Sequence, residues 1–315
     1  MAVPEPNLSQ RRIDTHHHIV PPAYRDWLSA HGLDAGGRAI PIWTPEGSIA
    51  VMERNGSATA ILSVSTPGVH LGDAAEARRM ARAVNDYAAE VVQRHPGRFG
   101  FFATLTLPDL EGAIAEARYA LDQLGADGVV LLSNVNGTYL GDPAWDPLMA
   151  ELNSRAAVLF EHPSAPPGPA IAGIPAYAAD FLLDTTRSAI NLARQGCLER
   201  YPDLRIILSH GGGFIPYAAE RIAASCDPDG DMAAGLARLR RFHYDTALCG
   251  ASTLPSLLAF ADPSRITFGS DWPFAPAEAT VPLAAALDAY PIEAAARQQL
   301  ARGNAEALFP RLAGT

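Results

Sequence analysis

Three consecutive histidines, in the segment Asp14-Thr15-His16-His17-His18, are the residues whose type and spacing point most directly to chemistry. They end a short run, Arg12–His18, that we interpret as a β-strand. Because side chains alternate along a strand, His16 and His18 point to one side and His17 points to the other. Two neighbouring imidazoles on one face form half of a metal site. A histidine-rich turn without function is the plainer interpretation of the same residues.

Three further polar clusters each follow an apolar run. His162 stands in Phe-Glu-His-Pro, His210 in Ser-His-Gly-Gly-Gly, and Asp271 in Gly-Ser-Asp-Trp-Pro. The glycines after His210 allow a tight turn that leaves the imidazole accessible. Taken singly, each residue could be an ordinary loop or capping residue. Together they place polar groups at the ends of four strands, where a parallel barrel collects its catalytic groups.

The elements that must position these residues alternate in type. Short β-rich runs alternate with Ala-, Arg- and Glu-rich stretches whose apolar residues recur every three or four positions. This alternation implies a parallel sheet, and eight strands close a (β/α)8 TIM barrel of the α/β class. An open doubly wound sheet is the alternative, but no Gly-x-Gly-x-x-Gly follows an early strand. The predicted strands are Arg12–His18, Ala60–Ser65, Phe99–Thr104, Gly128–Leu132, Ala157–His162, Arg205–His210, His243–Thr246 and Arg265–Ser270. The predicted helices include Asp73–His95, Leu110–Leu124, Pro143–Arg155, Leu182–Arg200 and Phe214–Ala224.

We predict one domain over residues 1–315. The segment Pro163–Ala179 is rich in proline, glycine and alanine. We interpret it as a long loop after the fifth strand, which forms a lid or wall of the site, and not as a linker between domains.

The 24 basic residues are all arginine, and the sequence contains no lysine. A Schiff-base lysine, a phosphate-loop lysine and a lysine general base are therefore excluded. A carboxylated lysine that bridges two metal ions is excluded as well. We therefore expect one metal ion per chain.

Charge and cysteine content limit the partners and the compartment. The net charge is −10 without a basic tract, which argues against nucleic acid or an anionic membrane as a partner. Met1–Gln10 lacks the apolar core of a signal peptide, and no run of about 18 apolar residues occurs. The three cysteines have no Cys-x-x-Cys spacing, which is typical of a reducing compartment. We predict a cytoplasmic protein.

The order of these clusters resembles the amidohydrolase superfamily, whose fold is a TIM barrel of the metal-dependent hydrolase type. Within it, the chain is similar to the amidohydrolase-2 branch that contains aminocarboxymuconate semialdehyde decarboxylase. The resemblance runs from Ile13 to Phe309. Three longer segments look similar to the 6-methylsalicylate and γ-resorcylate decarboxylase group, namely Ser65–His70, Arg94–Phe102 and Asp184–Arg187.

The resemblance implies a ligand set of His16, His18, His162 and Asp271 for one divalent metal. Some members of this branch have Glu where His16 stands, and the histidine pair favours zinc over manganese. His210 is implied to lie beside the metal and to hydrogen-bond the substrate or a bound water.

The resemblance also implies how an aromatic acid would be held. Arg221, eleven residues after His210, matches an arginine that binds the substrate carboxylate. The aromatic residues Trp272, Phe274 and Trp43 are candidates for the walls around the ring, with ordinary packing as the alternative.

The reaction that the resemblance implies is non-oxidative decarboxylation of a small salicylate- or hydroxybenzoate-type acid. Protonation of the ring carbon that bears the carboxylate, with Asp271 as the acid and His210 assisting, would precede loss of CO2. A metal-dependent hydrolase of a lactone or amide is the main alternative. A metal-binding scaffold without activity is a third. Relatives in this branch form homodimers or homotetramers, so we expect an oligomer.

Other polar residues have less specific interpretations. Asp184 and Arg187 lie one helical turn apart and could form an ion pair. His70 follows a Pro-Gly turn and is a candidate for lining the site, and His17 is expected to pack behind the metal-binding strand. The role of Asp245, at the end of the seventh strand, stays open. The histidines at positions 31, 95 and 243 are interpreted as structural.

Overall fold

The computed structural model describes residues 6–169 and 171–314. Strands and helices alternate along the described chain, as predicted. The strands are β1 Arg12–His18, β2 Ser57–Ser63, β3 Phe99–Thr104, β4 Gly128–Leu132, β5 Asn134–Val135, β6 Thr138–Tyr139, β7 Val158–His162, β8 Arg205–Leu208, β9 His243–Asp245 and β10 Ile266–Thr267. The α-helices are α1 Pro22–Ala30, α2 Pro45–Asn55, α3 Ala74–Arg94, α4 Leu110–Tyr119, α5 Asp146–Asn153, α6 Ala176–Arg194, α7 Cys197–Arg200, α8 Ile215–Ala223, α9 Met232–Leu239, α10 Leu254–Phe260, α11 Ala277–Ala289, α12 Ala294–Gln298 and α13 Asn304–Leu308.

Eight strands form one parallel sheet in the order β1-β2-β3-β4-β7-β8-β9-β10. The first and last strands come together through parallel bridges from Asp14 to Phe268 and from His17 to Trp272. The sheet is therefore a nearly closed barrel, and the predicted TIM barrel is confirmed. The hairpin of β5 and β6 lies outside this sheet and was not predicted.

Two apolar layers stabilise the barrel. Inside it, Phe102 stacks on Phe160 with ring centroids 5.3 Å apart, and Phe309 of the C-terminal segment packs against Phe102 and closes the amino-terminal end. Outside it, helices such as α3 bury one apolar stripe on the strands. The amino-terminal end is thus filled, which leaves the carboxyl end for a cavity.

Several boundaries differ from the prediction for local reasons. Strand β8 ends at Leu208 because the backbone of His210 and the three following glycines turns into the left-handed region. The predicted helix over 182–200 is divided at Gly196, whose φ is 62°. It also begins earlier, at Ala176, so the loop after β7 spans 163–175 within the predicted lid segment of 163–179.

Among the described residues, no helix combines the length and the apolar character that a bilayer-spanning segment requires. The three cysteines, Cys197, Cys226 and Cys249, are buried free thiols.

Candidate metal centre and substrate cavity

An irregularity in β1 sets the direction of its histidines. Between Asp14 and His17 the pairing with β2 shifts, so that β1 carries one extra residue. Such a bulge changes the phase of side-chain alternation. Ile13 can therefore face the barrel interior while His16 and His18 also point inward. His17 faces outward, where its ring contacts Trp272 and hydrogen-bonds with Asp14 and Ser48.

The remaining members of the cluster come from three other strand ends. His162 ends β7, two residues beyond the interior residue Phe160, and so points the same way. His210 follows β8, and Asp271 follows β10. All are buried. The four strand ends that the sequence singled out therefore meet at one place.

The cluster is tight enough for one metal ion. Ligand atoms of His16, His162, His210 and Asp271 all lie within 4.8 Å of one another. The Nε2 atom of His18 lies 3.1 Å from both His16 Nε2 and Asp271 Oδ1. The other Asp271 oxygen, Oδ2, lies 3.6 Å from His210 Nε2. The mutually close group of four thus contains His210 in place of the predicted ligand His18, and His18 lies beside two of its members.

The second ring nitrogen of three histidines is held by a fixed acceptor. His16 Nδ1 donates to Asp245 Oδ2 at 2.6 Å, and His162 Nδ1 donates to the carbonyl of Pro163 at 2.9 Å. His18 Nδ1 lies 3.2 Å from the Ser63 carbonyl and donates to it. These bonds turn each Nε2 toward the cluster, as in histidines that bind metal.

The protonation of the cluster fits a cation at its centre. Burial opposes charge on Asp271, but hydrogen bonds from His16, His18 and His210 hold its pKa well below the usual range. Burial lowers the pKa of His18 and, with the neighbouring imidazoles, lowers that of His162 much further. Burial also disfavours the charged form of His16, but Asp245 and Asp271 overcome this and raise its pKa to about 10. A proton on His16 therefore supplies positive charge between two carboxylates, and a divalent metal bound at His16 Nε2 would replace that proton.

Backbone strain concentrates around the cluster. His210 and Asp271 have φ values of 52° and 63°, in the left-handed region that non-glycine residues rarely adopt. Leu248, with φ 57°, lines the adjoining cavity. Three of the six such residues in the described ranges thus border one site, which is typical of functional sites.

A cavity of about 560 Å³ opens from the cluster toward solvent. His162, His210 and Asp271 form part of its wall. Phe274 also lines it and packs edge-on against His18, with ring centroids 5.3 Å apart. Phe181 lines it near His162, at 6.4 Å between centroids. Buried polar groups at the end of a largely apolar cavity are the usual composition of a small-molecule site.

The sequence matches the amidohydrolase family over residues 13–311. The chain belongs to this family. It is 40% identical over 325 residues to a 6-methylsalicylic acid decarboxylase of Aspergillus aculeatus, covering 96% of each chain. It is 37% identical over 316 residues to a 6-methylsalicylic acid decarboxylase of Penicillium expansum, covering 96% of this chain and 97% of that one.

Solved structures agree with the family assignment. A crystal structure of an amidohydrolase II superposes on this chain with a TM-score of 0.88 at 31% identity, covering 95% of this chain and 99% of that one. A dihydroxybenzoic acid decarboxylase from Polaromonas, crystallised with manganese and 2-nitroresorcinol, has a TM-score of 0.79 at 23% identity, covering 96% and 99%. This second likeness shows the shared fold.

Three of the predicted binding residues of this amidohydrolase do not line the cavity. Trp272 packs on His17, behind the metal-binding face of β1, because the chain turns at Asp271. Trp43 is buried against Tyr87 in the outer core. Arg221 is exposed on the last turn of α8 and is not part of the cavity wall. Of the predicted aromatic walls, only Phe274 lies in the cavity.

The predicted ion pair of Asp184 with Arg187 is also absent from the described contacts. The Asp184 carboxylate instead accepts hydrogen bonds from the Asn134 amide and the Ser164 backbone, while Arg187 lies 3.4 Å from the Tyr139 hydroxyl. His70 lines a separate cavity at the ends of β2 to β4.

Two charged residues of the site had no role assigned from the sequence. Arg38 lies in the wall of the cavity, where its guanidinium stacks on Tyr177. Nothing in the loop around it carries a motif. Asp245 was left open, although its place at the end of the seventh strand is the same signal that marked Asp271. The outward-facing Glu161 is buried too, with Ser133 as its hydrogen-bond partner.

Proposed function

We propose that this protein is a metal-dependent, non-oxidative decarboxylase of a small salicylate- or hydroxybenzoate-type acid. The observation that carries the proposal is the buried Asp271 carboxylate, surrounded by histidines where the cluster meets a largely apolar cavity. The relatives named as 6-methylsalicylic acid decarboxylases, which match over 96% of the chain, support it.

One divalent metal would be held by His16, His18, His162 and Asp271. When bound, the metal would act as a Lewis acid toward the carboxylate and phenolic oxygens of the substrate. Zinc is the metal we favour for the histidine-rich donor set. Manganese is the alternative, because the Polaromonas decarboxylase was crystallised with it.

Asp271 is proposed as the acid. It takes the proton of the ortho hydroxyl and passes it to the ring carbon that bears the carboxylate. The bond from that carbon to the carboxylate then breaks, its electron pair restores the aromatic ring, and CO2 leaves. A phenolate remains, which gains a proton from water on release. His210, whose Nε2 lies 3.6 Å from Asp271 Oδ2, is placed to hydrogen-bond the substrate beside this acid.

The negative charge of the substrate needs a cation at the cavity. Arg38 is part of the cavity wall, whereas Arg221 is exposed outside it. We therefore propose Arg38 as the arginine that attracts the carboxylate. The role that the resemblance implies for Arg221 stays a prediction, and it requires that Arg221 reach the cavity of another copy of the chain. We also propose a single domain, a homodimer or homotetramer, and a cytoplasmic location.

The test is incubation of the metal-loaded protein with 6-methylsalicylate and 2,6-dihydroxybenzoate, with CO2 and the phenol measured. We expect stoichiometric CO2 and phenol. Hydrolysis of an aryl lactone or amide without any decarboxylation would favour the hydrolase alternative instead. Asp271→Asn should abolish turnover, and metal analysis of the same sample separates loss of the acid from loss of the metal.

A further inference from the structure

The peptide group between Pro163 and Ser164 connects a predicted metal ligand to a buried carboxylate. Its carbonyl oxygen accepts the Nδ1 proton of His162 at 2.9 Å. Its N–H donates to Asp184 Oδ2, also at 2.9 Å. A peptide group is planar and rigid. One rigid unit therefore stands between the imidazole and the carboxylate, with a hydrogen bond at each end.

The carboxylate of Asp184 is held in a fixed place. Asp184 lies on α6 and is fully buried. The amide nitrogen of Asn134 lies 2.8 Å from its Oδ1 and 3.0 Å from its Oδ2, in addition to the bond from the Ser164 backbone. These groups are donors, which suits the ionised, acceptor-only form of a carboxyl group. Asp184 does not line the substrate cavity, and no step of the proposed reaction uses it.

This chain of hydrogen bonds acts on the imidazole of His162. An N–H that donates to a carboxylate polarises its peptide group, and the carbonyl at the other end becomes a stronger acceptor. A stronger acceptor at Nδ1 fixes the plane of the ring and raises the basicity of Nε2, the atom that would bind the metal. His16 has a carboxylate in direct contact, since its Nδ1 donates to Asp245 at 2.6 Å. Asp184 reaches His162 through one peptide group instead.

We propose that Asp184 is a positioning residue for the metal ligand His162, and that it acts through the peptide group between Pro163 and Ser164. This inference rests on the metal centre of the proposed function and adds a residue to it. Because Asp184 does not line the substrate cavity, its influence is confined to how His162 is oriented and how strongly it binds the metal.

The first variant is Asp184→Asn, which keeps the size of the side chain and removes its charge. The zinc dissociation constant, measured by competition with a chromophoric chelator, should rise about three- to tenfold, less than for a carboxylate that bonds a ligand directly. In isotope-labelled, metal-free protein, the NMR resonance of the His162 Nδ1 proton should move upfield, because a weaker hydrogen bond deshields it less. The resonance of the His16 Nδ1 proton should stay in place. The variant His162→Gln assigns the His162 signal.

Glu161→Gln is the matched control. Glu161 is a buried carboxyl group next to His162 in β7, but its hydrogen-bond partner is Ser133 and not the peptide group between Pro163 and Ser164. This variant should change neither the dissociation constant nor the His162 resonance. Equal changes in the control and in the first variant would show that both quantities report only looser packing around β7, and would overturn the proposal.

A double variant, Asp184→Asn with Asn134→Asp, separates the charge from the packing. The amide and the carboxylate exchange places, so the pair keeps a hydrogen bond and the cluster keeps its net charge. Urea unfolding of the metal-free proteins should therefore show a stability closer to the wild type than that of Asp184→Asn alone. The weaker metal binding and the upfield shift should remain, because the Ser164 N–H now meets a neutral oxygen. Recovery of both wild-type values would overturn the role of Asp184, even if the single variant does not fold.

This proposal and the proposed function fail in different ways. If the protein binds zinc but decarboxylates no salicylate, the proposed reaction fails and this test stands, since neither measurement needs turnover. If the wild type binds zinc and Asp184→Asn changes neither quantity, the inference about Asp184 fails alone. A raised dissociation constant with an unchanged His162 resonance would also overturn it, because the loss would not pass through the peptide group.

Discussion

The four histidines of the cluster differ in how their second ring nitrogen is held. Those of His16, His18 and His162 donate to Asp245, Ser63 and Pro163. The Nδ1 atom of His210 is buried without a hydrogen-bond partner among the described residues. A fixed imidazole suits a metal ligand, because the hydrogen bond at one ring nitrogen keeps the other directed at the ion. This difference supports the division between three histidine ligands and a substrate-facing His210.

Asp245 should control metal affinity through His16. In Asp245→Asn the amide replaces a charged acceptor, so His16 becomes a weaker ligand. We expect the metal dissociation constant to rise about 10- to 100-fold, as for other groups that orient metal ligands. Competition with a chromophoric chelator measures it. Asp14→Asn is the matched control, since Asp14 bonds the outward-facing His17. Equal losses of metal affinity in Asp245→Asn and Asp14→Asn would contradict the role of Asp245.

Glu161 predicts a pH dependence of stability. Burial raises its pKa to about 8, above the model-peptide value of 4.5. The folded state therefore keeps a proton that the unfolded state loses between these values, so its contribution to stability is present below pH 4.5 and is lost as the pH rises toward 8. The substitution Glu161→Gln removes the titrating carboxyl group, so the variant should not lose this stability as the pH rises.

Urea unfolding at pH 5, 6.5 and 8 measures the effect. The stability of Glu161→Gln relative to the wild type should increase with pH, by at most about 1.4 kcal/mol per unit. A difference that stays constant across this range would show that the carboxyl is already ionised at pH 5.

At the scale of elements, the sequence predicted which strands carry the site but not how they end. Alternation correctly paired His16 with His18. It could not reveal the bulge that lets Ile13 share their side of β1, because a bulge depends on pairing with β2. The sixth and eighth strands were likewise predicted too long, to His210 and to Ser270, because local sequence does not report a left-handed residue, here His210 or Asp271, that tertiary contacts hold in place.

The turn after β8 should be sensitive to added bulk. Gly211 has φ 64°, and a Cβ atom there would lie 2.8 Å from the sulfur of the buried Cys249. Gly230 has φ 77° with nothing within 4 Å of such an atom. Both substitutions to alanine carry the left-handed strain of roughly 1–2 kcal/mol.

We therefore expect Gly211→Ala to lower the free energy of unfolding by more than Gly230→Ala, and to reduce turnover by displacing His210. Thermal unfolding and steady-state kinetics of the two variants measure this. Equal stability losses with unchanged turnover in Gly211→Ala would show that the turn adapts without moving the imidazole.

At the scale of the whole molecule, the sequence was enough to predict which residues meet at the strand ends of the barrel. It was not enough to predict which residues line the opening. His162, His210 and Asp271 lie at or just after strand ends, and every strand of a parallel barrel ends at the same face. Arg38 lies in a loop, whose path depends on packing that no local pattern encodes. Trp272 lies on His17, outside the cavity wall, and follows the left-handed residue Asp271.

Because the chain has a net negative charge, positively charged side chains at the cavity are needed to attract an anionic substrate. With a net charge of −10, the protein as a whole repels an anionic acid. Arg38→Met keeps the length of the side chain and removes the charge. We expect KM to rise about two- to fivefold with kcat unchanged, as for loss of an exposed charge pair worth up to about 1 kcal/mol.

Steady-state kinetics at low and high salt check this, since screening should shrink the difference at 1 M salt. Arg221→Met is the competing variant, because the resemblance gives Arg221 the same role. If Arg38 alone attracts the acid, the KM of Arg221→Met equals that of the wild type, since Arg221 lies outside the cavity wall of its own chain. If Arg221→Met raises KM and Arg38→Met does not, then the carboxylate is bound by Arg221, and this arginine must act on the cavity of another copy.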